Sequence, residues 1–196
     1  MGFDKFVEAE TARTNNYSTQ GTIAACERYT RCKRAANDRA IKILSSPNRQ
    51  QLAAARRELD KLEDSLWTIV RIGAGGGTMY SQFAAAGYGV REDVLGKLIA
   101  ALRVRKKSVS ARRQTNKLLT RAQKFLAPHL KISSERELMG LGWPKGQTKI
   151  YASAAHDAET ALATLKVLSR RWPDGAAKLL ATRIEHSVTN VFESGD

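Results

Sequence analysis

The chain is poor in the residues that would commit it to a special class of fold. It has two cysteines, Cys26 and Cys32, too few for a disulfide framework, and six positions apart on one helix they point about 120° from each other. No apolar run reaches the 18 or so residues of a membrane helix and there is no secretory signal pattern, so no membrane span is expected and a cytoplasmic compartment is the default. Met1 and Gly2 open like a myristoylation site, but Phe6 stands where Ser or Thr belongs. No window alternates apolar and polar residues as a half-buried strand does. What the chain lacks most is acid: 19 Asp and Glu face 33 Lys and Arg, for a net charge of +14 and a pI near 10.1. Such a field draws in polyanions, with nucleic acid, anionic lipid and acidic protein as the candidates.

A hydrophobic content of 42% and a charged content of 27% are those of an ordinary globular chain. At 196 residues the simplest organisation is one all-α domain, with a possible N-terminal arm over 1–20 and a Gly-rich hinge at 73–77. The clearest element runs from Pro47 toward Gly77. Leu52, Ala55, Leu59, Leu62, Leu66 and Ile69 recur at alternating spacings of three and four, which places all six on one stripe of a helix. Ser46 and Pro47 mark its start and the glycine run its end, giving about 25 residues and about 37 Å. Before it, Phe3–Arg13 reads as a short helix and Thr22–Leu44 as a longer one. The longer one has Ala25, Cys26, Tyr29, Cys32, Ala36, Ala40, Ile43 and Leu44 on its apolar side and Arg28, Arg31, Arg39 and Lys42 on another. The tight connection Ser45–Asn48 predicts an antiparallel hairpin between this helix and the long one.

The glycine run Gly73–Gly77 invites comparison with a phosphate loop. The lysine and glycine spacing of that motif are missing and no strand precedes it, so a turn or a close backbone approach is the better account. Met79–Ala86 reads as a short helix stopped at Gly87, Tyr88 and Gly89. The amphipathic segment that follows, with Val94, Leu95, Leu98, Ile99 and Leu102, leads into a basic block and then a second apolar set, Leu118, Leu119, Ala122, Phe125 and Leu126. Pro128 is expected to end it. Ser134 and Glu137 have capping-box spacing for a short helix closed by Gly140, Gly142 and Pro144. Thr148–Arg171 and Ala176–Phe192 are two further amphipathic helices. The fold class is therefore all-α, a bundle of five to seven helices with Gly-rich hinges, built around the helix from Pro47 and completed by the C-terminal pair.

The charge pattern carries the functional expectation. No Asp or Glu occurs between Asp93 and Glu135, while the same stretch holds Arg103, Arg105, Lys106, Lys107, Arg112, Arg113, Lys117, Arg121 and Lys124. Cations left without carboxylates are tolerable when a polyanion supplies the counter-charge, because each phosphate neutralised releases condensed counterions. Ser108, Ser110, Gln114, Thr115 and Asn116 are interleaved as hydrogen-bonding groups for phosphate or sugar oxygens. The block contains no aromatic residue for base stacking, so backbone contact with little sequence readout is expected, to RNA or DNA.

His129, His156 and His186 have no metal spacing, and no metal or cofactor motif is read anywhere. Glu58, Asp60, Glu63 and Asp64 share their helix with Arg56, Arg57 and Lys61, which predicts charge pairing on a solvated face rather than acid–base chemistry. The leading expectation is a non-enzymatic nucleic-acid-binding protein using the nine cations of the block, joined by Arg28, Arg31, Arg39 and Lys42, and acting as a homo-oligomer. The first alternative is a viral coat or nucleocapsid subunit that self-assembles around packaged genome, located in the virion. The second is an all-α enzyme acting on an acidic substrate.

Overall fold

A 28-residue helix, Ser46–Gly73 (α3), is the spine of the molecule. The computed structural model describes residues 1–73, 78–104, 108–131 and 145–193, less some side chains at the edges of those ranges. Every residue of the stripe on α3 is buried, five of the six at 0% exposure and Ile69 at 3%. A fully buried leucine contributes about 1.5–3 kcal/mol, so the stripe demands neighbours along its whole length. The other helices are α1 (Phe3–Thr14), α2 (Thr19–Ile41), α4 (Thr78–Leu102), α5 (Val109–Lys131), α6 (Lys145–Arg171) and α7 (Asp174–Glu193), of which α6, α7 and α4 lie against α3. No strand occurs among the described residues, and the all-α bundle read from the sequence is the architecture found.

The packing partners are not sequence neighbours. α2 lies along α4, α3 along α6 and α5 along α7. The expected hairpin of α2 on α3 is therefore wrong as a packing pair, although the two helices do run in opposite directions. The reason is apolar demand: the buried stripe of α3 faces Leu162, Leu165 and Leu168 of α6 and Leu95 and Leu98 of α4 within one core cluster. α2 is instead largely polar, and buries only Gly21, Ala25, Cys26, Tyr29 and Asn37. Cys32, Ala36 and Ile43, expected on its apolar side, are exposed, while Asn37 is buried.

Gly87 and Gly89 do not stop a helix, because α4 runs through them to Leu102. A Cβ at Gly89 would lie 2.3 Å from the ring of Phe3, so the glycine is there to let α1 approach, and contact on both sides outweighs its low helix propensity. Pro128 likewise lies inside α5, one turn before its end at Lys131. So close to the terminus, the missing N–H forfeits a single intrahelical bond and the last turn continues. Of the glycine hinge expected at 73–77, Gly73 closes α3 and 74–77 lie outside the described residues, as do the capping box, its glycines and Pro144. α1 ends on Asn15 in the left-handed conformation, φ 49°. It docks through Phe3 and Phe6, whose rings meet Tyr29 at 5.3 and 5.1 Å.

The interior is not purely apolar. Glu63, expected on a solvated face, is 3% exposed and accepts bonds from Arg183 Nε at 2.7 Å and Ser187 Oγ at 2.8 Å, both from α7. Arg91 of α4 bridges Asp60 at 3.0 Å and Glu63 at 3.5 Å. Burial pushes the Asp60 carboxyl above its ordinary pKa despite the guanidinium of Arg91. Next to Arg91, Glu92 is fully buried and meets Arg56 of α3 at 2.8 Å and Asn37 of α2 at 2.9 Å. The period of α3 hid this, because Glu63 adjoins the leucine stripe and becomes buried only when α7 covers that edge.

A third polar knot joins α2 to α4. Tyr29 donates to Asp93 Oδ1 at 2.6 Å and Lys33 ion-pairs with the same oxygen at 2.9 Å. Burial and the carboxylate raise the Tyr29 hydroxyl to about 12. Burial alone would raise Asp93, but the bonds from Tyr29 and Lys33 outweigh it and leave the carboxyl below its ordinary 3.8.

Two outcomes are expected. Arg183→Met leaves a buried carboxylate without its main cation and should cost about 3–5 kcal/mol in urea denaturation, while Glu63→Met/Arg183→Met should recover much of that loss. A single variant within about 0.5 kcal/mol of the parent would show the network to be structurally neutral. For Asp93, a depressed folded pKa means stability that is present above 3.8 and lost as pH falls through the lower folded value. The gap in denaturation midpoint between the parent and Asp93→Asn should therefore be widest above pH 4 or so and shrink on acidification below it.

Candidate nucleic-acid interface

The helices alternate in direction, and this gathers three connections at one end of the bundle. α3 and α6 are antiparallel, since Lys61 pairs with Asp157 at 2.8 Å and Ile69 packs with Tyr151. α2 and α4 are parallel, with Phe3 and Tyr29 near Gly89 and Asn37 beside Gly96. At the shared end, Asn48 Nδ2 donates to Leu102 O at 3.4 Å, joining the start of α3 to the end of α4. The Ser108 N–H donates to Asp174 Oδ2 at 2.6 Å, joining the starts of α5 and α7. The α2–α3, α4–α5 and α6–α7 connections thus share one surface.

That surface is almost free of acid. Within two turns of the three connections the described carboxylates are Asp38 and Asp174, and each is held: Asp38 by Arg56 at 2.9 Å, Asp174 by Arg112 at 2.5 Å. Arg39, Lys42, Arg49, Arg103, Arg113, Arg170 and Arg171 stand exposed around them. Cations at the C-termini of α2, α4 and α6 meet the negative end of the helix dipole, worth about 0.3–1 kcal/mol each, and need no ligand to explain them. Arg49, Arg113 and Lys178 lie at or near the N-termini of α3, α5 and α7, where the dipole opposes them. Of the three, Arg49 is in the first turn, where the opposition is strongest.

The basic block divides when its partners are counted. Arg112 is a structural residue: it donates to Ser169 O at 3.2 Å and Trp172 O at 3.1 Å, satisfying carbonyls at the end of α6, and pairs with Asp174. Arg121 reaches Glu185 of α7 at 3.2 Å and lies 5.7 Å from the centre of the Phe125 ring. Arg103, Arg113, Lys117 and Lys124 are exposed and form no ion pair among the described residues. The last three fall within about 40° of one another on the face of α5 opposite Leu119 and Leu126, a row about 16 Å long. Arg105, Lys106 and Lys107 lie outside the described residues.

The cations of α2 are not part of that row. α2 packs on α1 and α4, and α5 on α6 and α7. Arg39 and Lys42 reach the shared end, whereas Arg28, ion-paired with Glu10, and Arg31 lie two turns and more back along the helix. The structure adds Lys166 and Arg170, which sequence reasoning missed. Together with Arg112, Asn116, Leu119 and Thr120 they line a cleft of about 430 Å³ between α5 and α6.

A larger cleft of about 600 Å³ between α3 and α6 has mixed charge, with Lys61, Asp64, Lys149 and Asp157 among its lining. Asp157 is paired with Lys61, and Asp64 accepts from the Tyr88 hydroxyl at 2.9 Å. No group of three or more His, Cys, Asp or Glu among the described residues is arranged to hold a metal, and no helix among them is long and apolar enough to cross a membrane. No family model, curated protein or solved structure matches this chain.

A signal for the whole surface was present in the sequence. Acid is missing between Asp38 and Glu58 and between Asp93 and Glu135, and between Glu159 and Glu185 only Asp174 interrupts. Each gap contains one of the three connections.

Arg112→Met should lower stability by about 1–3 kcal/mol, because it removes a donor from the Ser169 and Trp172 carbonyls and the cation beside Asp174. Arg113→Met, one position on, should stay within about 0.5 kcal/mol of the parent. Equal losses in thermal or chemical unfolding would contradict the division between a structural and a surface cation.

Proposed function

We propose that this protein is a non-enzymatic helical protein that binds nucleic acid through the phosphate backbone, with little sequence readout. The observation that carries the reading is the loop-bearing end of the bundle together with the outer face of α5. There Arg103, Arg113, Lys117 and Lys124 are exposed without ion pairs, and the nearby carboxylates are already engaged. Uncompensated cations concentrated on one surface raise the free energy of the folded state through mutual repulsion, and a polyanion relieves it.

The other classes draw less support from the geometry. A cleft with two carboxylates, each already bonded, offers no free acid–base pair. The aliphatic side chains at the basic end, Ile43, Val104 and Val109, are exposed singly rather than as the continuous apolar stripe with which an interfacial helix enters lipid. A coat or nucleocapsid subunit would use the same cations and differ in the particle formed. Solution mass with and without nucleic acid separates a small fixed oligomer from open-ended assembly.

Reversing Arg103, Arg113, Lys117 and Lys124 to Glu should weaken binding to generic RNA or DNA about 100-fold or more at 0.1 M salt. The dependence of log K on log salt, about 0.9 per duplex phosphate neutralised, should flatten as well. Helical circular dichroism should be unchanged, since none of the four is buried. Undiminished affinity in a folded variant rejects the assignment.

A further inference from the structure

The cleft between α5 and α6 differs in kind from the exposed row beside it. Its α6 wall carries Lys166 and Arg170, one helical turn apart, and its α5 wall carries Asn116 and Thr120, also one turn apart, over Leu119. The helices run in opposite directions, so each cation faces a neutral hydrogen-bonding side chain across the gap. Lys166 already spans it, donating from Nζ to Gln123 Oε1 at 3.3 Å. No carboxylate lines the cleft, and the one nearest its mouth, Asp174, is paired with Arg112. Arg112 also bonds the last carbonyls of α6, which fixes the two walls at one separation. The result is two cations and two neutral polar groups lining one cleft beside the structurally engaged Arg112, where the cations of the neighbouring row stand on a convex helix face.

We propose that this cleft is a discrete seat for one phosphate group, with Lys166 and Arg170 supplying charge and Asn116 and Thr120 supplying directional hydrogen bonds. At about 430 Å³ it exceeds a bare phosphate and admits an attached sugar, so the ligand class is a phosphate ester. That ester is either a backbone phosphate of a polynucleotide or a free nucleotide. A further part rests on the nucleic-acid reading given above: a backbone phosphate held here would set the register of the strand lying along Arg113, Lys117 and Lys124. A guanidinium and an ammonium together suit this task, the first through its planar pair of donors and the second as a mobile point charge.

The test titrates the full chain with inorganic phosphate, with adenosine monophosphate and with a generic 20-base-pair duplex, following backbone and side-chain amide resonances. Inorganic phosphate should give saturable shifts confined to residues near Asn116, Thr120, Lys166 and Arg170. Lys166→Gln/Arg170→Gln should lose that response at least 10-fold, whereas Arg113→Gln/Lys117→Gln/Lys124→Gln should keep it. Non-saturating shifts spread over all basic surfaces, or an unchanged response in the Lys166/Arg170 variant, overturn the seat. A seat that binds phosphate and adenosine monophosphate in a chain that does not bind the duplex supports the seat with a free nucleotide as its ligand, and removes the backbone reading alone. Duplex affinity at least 10-fold lower in the Lys166/Arg170 variant, with the row intact, supports the register role, and equal duplex affinity overturns that role.

Discussion

Two glutamates withdrawn from water hold the bundle in its particular arrangement. A buried carboxylate is tolerable only where cations and hydrogen-bond donors from neighbouring elements meet it. Glu63 of α3 is met by Arg183 and Ser187 of α7 and by Arg91 of α4, and Glu92 of α4 by Arg56 of α3 and Asn37 of α2. Leucine stripes alone would allow helices to slide or exchange partners, since one apolar face resembles another. A guanidinium that must land on one carboxylate fixes which helix sits beside which, and at what height.

The same arrangement has an electrostatic consequence. Carboxylates in this chain are few, and those at the middle of the bundle, Asp60, Glu63, Glu92 and Asp93, are drawn onto Arg91, Arg183, Arg56 and Lys33. At the end where three connections meet, the two available acids are bound as well. The positive excess of the chain is thereby concentrated at one end and along the outer face of α5. Some of those cations also serve the fold by facing helix C-termini, whereas Arg49, in the first turn of α3, is opposed by the helix dipole. Mutual repulsion among such cations is the physical basis for the proposal that a polyanion meets this surface.

Residue type predicted role unevenly. Arg112 and Arg113 are adjacent in the sequence and equally basic, yet one ties the end of α6 to α5 and the other faces solvent. Helical rotation of about 100° per residue separates their fates, and only the position of α6 tells which direction is inward. Lys166 and Arg170 sat in an ordinary amphipathic helix with no local clue. They line a cleft because α5 runs past them in the opposite direction. Gly87 and Gly89 looked like punctuation but lie inside α4, and Gly89 is where that helix admits Phe3 of α1.

From the sequence alone came the all-α class, the approximate course of most helices though not the continuity of α4 through its glycines or of α5 past Pro128, the stripe that α3 buries and the surplus of positive charge. Each of these is set by local periodicity or by composition, which no tertiary arrangement alters. The tertiary structure alone decided that α2 pairs with α4 and α3 with α6, that Glu63 lies inside, and that three acid-poor stretches meet at one end. Those outcomes depend on contacts between residues tens of positions apart, where the energy of burying a side chain is determined by the helix that happens to cover it.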